Sequence, residues 1–389
     1  MSHQDWYTDE LVALRNTTAE FVRREVLPHQ DEWEHSGSLP RELSQRAGQL
    51  GLLGASFPES AGGGGGGLRE AVTITEALME TGAAGGVQAS LFTTGISCPH
   101  IVAGGDPGQI ERWVAPALAG ELIGSLGITE PGGGSDVGAV RTTARRDGDH
   151  YVVNGAKTFI TSATRADFVV VAVRTGGPDL PGARGLSLLV VEQGTPGFTV
   201  SEPLAKMGWR CSDTAELAFS DARVPVGNLV GPENAGFALI GMAFVSERIA
   251  MAAQAYAAAQ RCYDLSVDWC RQRSTFGKPL IARPSVQDTL VEMARRIDLA
   301  RTYTRSVVDR SLDGDPGEDL VAQACFAKNT ATESGEWVAH QAVQLFGGTG
   351  YMEGTEVERQ YRDMRIIGIG GGTVEILRQL AARRLGLTS

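Results

Sequence analysis

The absences in this sequence narrow the problem first. Among its 389 residues no apolar run approaches the ~20 that a membrane-spanning helix requires. The segment Met1 to Glu10 carries Asp5, Asp9 and Glu10, the wrong charge for a signal or transit peptide. Positive charge is scarce. The 35 Lys and Arg against 46 Asp and Glu leave a net charge of −11, which argues against nucleic acid, because phosphate binding needs a concentrated positive patch. The expected partner is a small molecule or another protein. The five cysteines (Cys98, Cys211, Cys262, Cys270, Cys325) form no CxxC pair and no even framework, a pattern of reduced thiols in a cytoplasmic setting. The six histidines lack HxxxH or HExxH spacing, so a metal site has no support. What remains is 42% apolar and 21% charged content, that of an ordinary globular protein long enough for two or three domains.

The chain reads as three blocks. Up to residue 121 the pattern is helical: Leu11, Leu14, Thr18, Phe21 and Val22 make one mostly apolar stripe. Within it, Gly62 to Gly67 is a loop, since each Gly costs about 1 kcal/mol against Ala in a helix. Over 122–235 the period changes. Thr142 to Arg146, the turn Asp147-Gly148-Asp149 and Tyr151 to Lys157 predict a β-hairpin. Phe168 to Val173, Leu186 to Val191 and Thr214 to Phe219 predict further strands, together suggesting a small antiparallel barrel or sandwich. Over 236–389 the helical period returns. Phe237, Ile240, Phe244, Glu247, Met251 and Gln254 lie near one face of the first long helix, and three more helices are expected at Thr289 to Val308, Val321 to Leu345 and Thr373 to Leu385. The class is α+β, with a β domain between two helical ones.

Three glycine-rich loops could carry chemistry. Gly132-Gly133-Gly134-Ser135 follows the apolar run Ile123 to Thr129, but a β-hairpin comes next where a dinucleotide-binding βαβ unit needs a helix, so that reading fails. Gly347-Gly348-Thr349-Gly350 ends a helix. Gly368 to Gly372 feeds the helix starting near Thr373, which suits an anion or two plain helix caps. Arg273 to Lys278 gathers two cations and an aromatic, by itself only a charge cluster complementing a helix end. Glu247-Arg248 sits on an apolar helix face, where a carboxylate is costly unless paired or used. It reads either as an internal ion pair or as a catalytic carboxylate with a raised pKa.

The order of these segments is more specific than any one of them. Gly127-Ile-Thr-Glu-Pro-Gly-Gly-Gly-Ser-Asp136 resembles the first signature of the acyl-CoA dehydrogenases. Asn154 to Thr161, Met207-Gly-Trp-Arg210, Arg273 to Gly277, Gln344 to Tyr351 and Tyr361-Arg-Asp363 follow in the family's order. The resemblance implies an N-terminal α-helical domain, a middle β domain and a C-terminal four-helix bundle, assembled as a homotetramer around FAD. Position by position, it implies that Ile128, Thr129, Gly134 and Ser135 line the flavin and that Phe159 and Thr161 cover its other edge. Arg273 and Phe276 would reach the FAD of a neighbouring subunit, with Gln344, Gly348, Thr373 and Glu375 completing such a site. Many relatives carry Gln at the position of Pro284. Ser135, Arg248 and Gly370 are the expected substrate contacts.

Medium- and short-chain relatives carry the catalytic Glu just before the Gly-Thr of the last loop, where this chain has Gly371. The isovaleryl-CoA and long-chain types place it on the first helix of the C-terminal domain, one residue before an Arg, which here is Glu247. The resemblance therefore implies α,β-dehydrogenation of an acyl-CoA. Glu247 is the expected base, the Gly371 N–H a donor to the thioester carbonyl, and an electron-transfer flavoprotein the acceptor. A flavin monooxygenase or oxidase on the same fold, and a non-catalytic partner subunit, are the competing readings.

Overall fold

The structure is a computed structural model that describes residues 6–312 and 319–388; of the acidic N-terminal segment, the first five residues lie outside the described ones. Eight helices precede the sheet: α1 Asp9–Phe21, α2 Gln30–Ser36, α3 Arg41–Gln49, α4 Leu68–Thr81, α5 Gly85–Leu91, α6 Thr94–Gly104, α7 Pro107–Gln109 and α8 Ala115–Leu118. The stripe expected on the first helix is the buried face of α1, with Leu11, Thr18, Phe21 and Val22 enclosed. The six glycines from 62 to 67 form a loop, and a well-tied one. Gly64 N–H donates to Gly54, Gly65 to Phe57 and Gly66 to Ala55 at 2.8–3.1 Å. A Cβ at Gly63 would stand 2.3 Å from the Phe57 carbonyl, so glycine is required there by close approach.

Eight strands follow: β1 Gly124–Gly127, β2 Thr143–Asp147, β3 His150–Thr161, β4 Phe168–Arg174, β5 Leu186–Glu192, β6 Phe198–Val200, β7 Thr214–Pro225 and β8 Leu229–Val230. They form one sheet in the order β6-β7-β3-β2-β4-β5-β8, with β1 beside β4. The expected barrel or sandwich is one sheet that folds over its own core, mixed where an antiparallel one was expected, because β4 pairs in parallel with both β1 and β2. Strand β4 explains its own unbroken apolar run. Phe168, Val170 and Ala172 pack under Trp113 and Ile101 of the N-terminal block, while Val169, Val171 and Val173 face a second core with Leu217, Phe219 and Val224 of β7. A strand covered on both faces needs no polar alternation.

The C-terminal block holds α9 Gly236–Gln272, the two-stranded ribbon of β9 Ser274–Thr275 and β10 Lys278–Pro279, α10 Pro284–Leu312, α11 Leu320–Phe346, α12 Gly348–Tyr351, α13 Glu356–Met364 and α14 Val374–Arg384. Helix α9, whose apolar stretch is interrupted by Glu247 and Arg248, is long and apolar enough, by length and composition alone, to cross a membrane. Its alanines 252, 253, 255 and 257–259 are buried in the bundle core, where small side chains let helices approach closely. Glu76 of α4 ties the N-terminal block to that bundle, accepting hydrogen bonds from Tyr256 of α9 at 2.7 Å and from Arg305 of α10 at 2.7 Å. The expected charge cluster at 273–278 is instead a tight hairpin. Phe276 and Gly277, both with positive φ (49° and 75°), form its two-residue turn. All five cysteines are buried and free.

Candidate active site

A cavity of about 2560 Å3 opens where the sheet, the N-terminal helices and the bundle meet. That is well above the ~300–1,000 Å3 of a single small-ligand pocket, so it has room for two large ligands together. One wall is the loop after β1. The Glu130 N–H donates to the Gly133 carbonyl at 3.1 Å and the Gly133 N–H returns to Glu130 at 3.0 Å, closing a turn over Pro131 and Gly132. The Glu130 carboxylate anchors that turn, accepting from Thr142 Oγ1 at 2.6 Å, from the N–H groups of Arg141 and Thr142, and from Lys157 Nζ at 2.8 Å. These donors hold its pKa down at about 2, against the cost of burial. Lys157 is fully buried, which lowers its own pKa to about 8. Ion pairing and desolvation pull the pair in opposite directions. The four-fold hydrogen bonding at Glu130 favours the ionised form of that carboxyl.

Ile128, Thr129, Gly134, Ser135, Phe159 and Thr161 all line this wall. A register shift between Lys157 and Ile160 interrupts the β3–β7 ladder, and Phe159 sits in it with φ 59° and 67% of its surface exposed. A bulge that re-aims an aromatic ring into open space, in a backbone region such residues avoid, is the mark of a ligand-facing device. A planar, apolar ring system laid against Phe159 would bury it.

The opposite wall is α9 and the loop before α14. Phe237, Ile240, Phe244, Glu247, Met251 and Gln254, the stripe read from the sequence, all face the cavity. Glu247 is half-buried, its open side being the cavity, and it accepts no hydrogen bond among the described residues. Burial lifts its pKa above the ordinary value, opposed by the Arg248 and Lys328 cations. The internal ion pair between Glu247 and Arg248 does not form within 4 Å. Arg248 lies over the Phe244 ring at 5.3 Å, 6% exposed, with its Nε unpartnered. Gly370, Gly371 and Thr373 complete this wall. Gly371 has φ 61°, and a Cβ placed on it would stand 3.3 Å from Glu247 Oε1 and 2.5 Å from Met251 Sδ. Met251 Sδ takes up the space a Cβ at 371 would need, and the Glu247 carboxyl borders the same point.

Arg273, Phe276, Gln344, Gly348 and Glu375 do not line the cavity. The 26 steps along α9 and its cap from Glu247 to Arg273 span roughly 39 Å at 1.5 Å per residue. Phe276 is 98% exposed at its hairpin tip, and Trp269 near the end of α9 stacks on Phe346 beside Gln344. Glu375 is in the first turn of α14, and Pro284 opens α10, where its missing N–H costs nothing. Several residues here had no role in the sequence reading. Glu130 with Lys157, and Lys328, are charges that the fold encloses, and no local sequence pattern marks them. Asp363 closes the Tyr361-Arg-Asp363 motif. Its carboxyl accepts from the N–H groups of Trp209 and Gly85 at 2.6 and 2.9 Å, joining two separate signature segments.

Three family models match consecutive stretches of the chain: the N-terminal, middle and C-terminal domains of acyl-CoA dehydrogenase, over residues 8–121, 125–222 and 234–386. The chain belongs to the acyl-CoA dehydrogenase family. It is similar to the mitochondrial long-chain specific acyl-CoA dehydrogenase of Rattus norvegicus, 38% identical over 97% of this chain and 87% of that protein. A crystal structure of a Mycobacterium smegmatis protein assigned to the acyl-CoA dehydrogenases superposes with a TM-score of 0.97 at 64% identity, covering 99% of this chain and 100% of that one. An acyl-CoA dehydrogenase from Bacillus anthracis complexed with FAD superposes at 0.91 and 29% identity, covering 100% and 68%. The chain is accordingly an FAD-dependent oxidoreductase. The exposed Phe159 ring and the glycine-edged Thr129–Ser135 wall fit an isoalloxazine.

Proposed function

We propose that the protein dehydrogenates the α and β carbons of an acyl-CoA thioester to the trans-2-enoyl product, with Glu247 as the base. The observation that carries this reading is the position of the Glu247 carboxyl, free of hydrogen bonds among the described residues, facing the cavity and bordering Gly371. Burial makes that carboxylate a stronger base than one in water, as removal of a weakly acidic α-proton needs. Bound FAD supplies the acceptor for the β-hydride. The Gly371 N–H, which donates to no acceptor within the chain among the described residues, is available to the thioester carbonyl. Such a donor to a developing oxyanion is worth ~2.7–4 kcal/mol of barrier.

Ile128, Thr129, Gly134, Ser135, Phe159, Thr161 and Thr373 would hold the flavin, and Ser135, Arg248 and Gly370 the thioester. The lack of a side chain at Gly370 supports branched or bulky acyl groups, while the space beside Gly371 is taken by Met251 and Glu247. Arg273, Phe276, Gln344, Gly348 and Glu375 lie outside the cavity, and their use would come from another copy of the chain in a homotetramer. An electron-transfer flavoprotein as acceptor, a place in fatty-acid metabolism and a cytoplasmic location complete the proposal. The test is anaerobic mixing of the yellow enzyme with a panel of acyl-CoA thioesters. Wild type should bleach, branched chains at least as fast as straight short ones, and E247Q should not. Fast bleaching by E247Q would place the base elsewhere.

A further inference from the structure

We propose that Lys328 is a positioning residue for this chemistry: one buried ammonium clamps the Gly370–Gly372 loop so that the Gly371 N–H faces the substrate, and it places a positive charge beside Glu247. The inference rests on the dehydrogenation reading and adds a group that reading does not use.

Lys328 lies on α11 among Ala324, Cys325, Ala327 and Ala331, with no exposed surface. Among the described residues no carboxylate lies within ion-pairing distance. Its Nζ donates instead to the carbonyls of Gly370 and Gly372, both at 2.6 Å. The Gly370 carbonyl and the Gly371 N–H belong to one peptide plane, and in a trans peptide the two point in opposite directions. Tying the oxygen back to α11 therefore turns the N–H away from α11. A charge-assisted bond to that carbonyl also polarises the peptide and makes its N–H a stronger donor. The second bond, to Gly372, fixes the far side of a loop whose two central residues are glycines with φ 61° and 96°. Such a loop has little backbone preference of its own, so its shape is supplied by the clamp.

The same ammonium faces the base. A Cβ at Gly371 would stand 3.7 Å from Lys328 Cε and 3.3 Å from Glu247 Oε1, so the lysine and the carboxylate flank one point. The groups acting on Glu247 are Arg248 from its own helix and Lys328 from α11; those acting on Lys328 are Glu247, Arg248 and Cys325. Desolvation dominates both, and the Glu247–Lys328 attraction opposes it in each. Loss of the lysine charge raises the proton affinity of Glu247.

The test uses FAD-loaded K328M and K328Q beside wild type, with two readouts. The first is the absorption of a bound cinnamoyl-type CoA thioester, which moves to longer wavelength when its carbonyl is polarised. The second is the pH profile of anaerobic flavin reduction. In K328M the red shift should largely disappear, the rate should fall about tenfold to a hundredfold, and KM should change far less. The acid limb should move to higher pH. K328Q keeps an amide donor for the loop and loses the charge, so its acid limb should move while more of the red shift survives. K328Q carries the test if K328M does not fold. A folded, FAD-loaded variant with the wild-type red shift and an unmoved acid limb overturns the proposal. A wild-type enzyme that neither shifts the thioester spectrum nor bleaches would instead remove the dehydrogenation reading beneath it.

Discussion

Two glycine-rich loops face each other across the cavity, each backed by a fully buried lysine whose pKa falls to about 8. Lys157, behind the Gly132–Ser135 loop, has a counter-ion in Glu130 at 2.8 Å. Lys328, behind the Gly370–Gly372 loop, holds two carbonyls, and the carboxylate that acts on it is Glu247, the proposed base. The same residue type is thus used in two ways. A lysine with a counter-ion contributes stability and is electrically spent. A lysine bonded to neutral carbonyls keeps its field for a neighbour.

That contrast can be broken in several places. The largest effect is expected at the proposed base: E247Q should slow anaerobic flavin reduction by ~10²–10⁴, the usual contribution of a general base, measured by stopped-flow with the best thioester. Next is Glu130→Ala, which strands Lys157 and should cost ~3–5 kcal/mol in urea unfolding. K328M should cost less stability than Glu130→Ala while losing more rate per folded enzyme. The reverse ranking would erase the distinction between the two lysines. Gly371→Ala forces a Cβ into a positive-φ site 2.5 Å from Met251 Sδ and should cost about 1–3 kcal/mol. Met251→Ala should recover the part due to contact, leaving the backbone part.

The smallest effect is a pH slope. Because the Glu130 pKa is depressed to about 2 in the fold, its stabilisation is complete above the ordinary carboxylate pKa of 4.5 and is lost as pH falls toward 2. The urea midpoint should therefore drop between pH 5 and pH 3 more steeply in wild type than in Glu130→Gln.

Much of this was legible in the sequence. The stripe from Phe237 to Gln254 set α9 and, with it, the direction of Glu247, because a period of 3.6 places those six residues on one face. Strand positions in the middle block were legible from β-branched runs bounded by Gly and Pro. The parallel pairing of β1 and β2 with β4 was not, since local pattern carries no information on which distant strands meet. The hairpin at 274–279 was hidden because its turn uses Phe276 at positive φ, where turn chemistry predicts Asn or Gly. Lys328 was hidden for a different reason. A lysine in a helix reads as surface until the loop that accepts its protons, more than forty residues later, is folded over it.

Helix α9 is also a ruler. It carries the carboxylate near one end and, some 39 Å on, the hairpin with Arg273 and Phe276 at the other, a separation no side chain can bridge. A site that needs both ends must draw them from different copies. Two inactive variants, one altered at Glu247 and one at Arg273, should then restore partial turnover when unfolded and reassembled together, because some of the mixed sites inherit neither lesion.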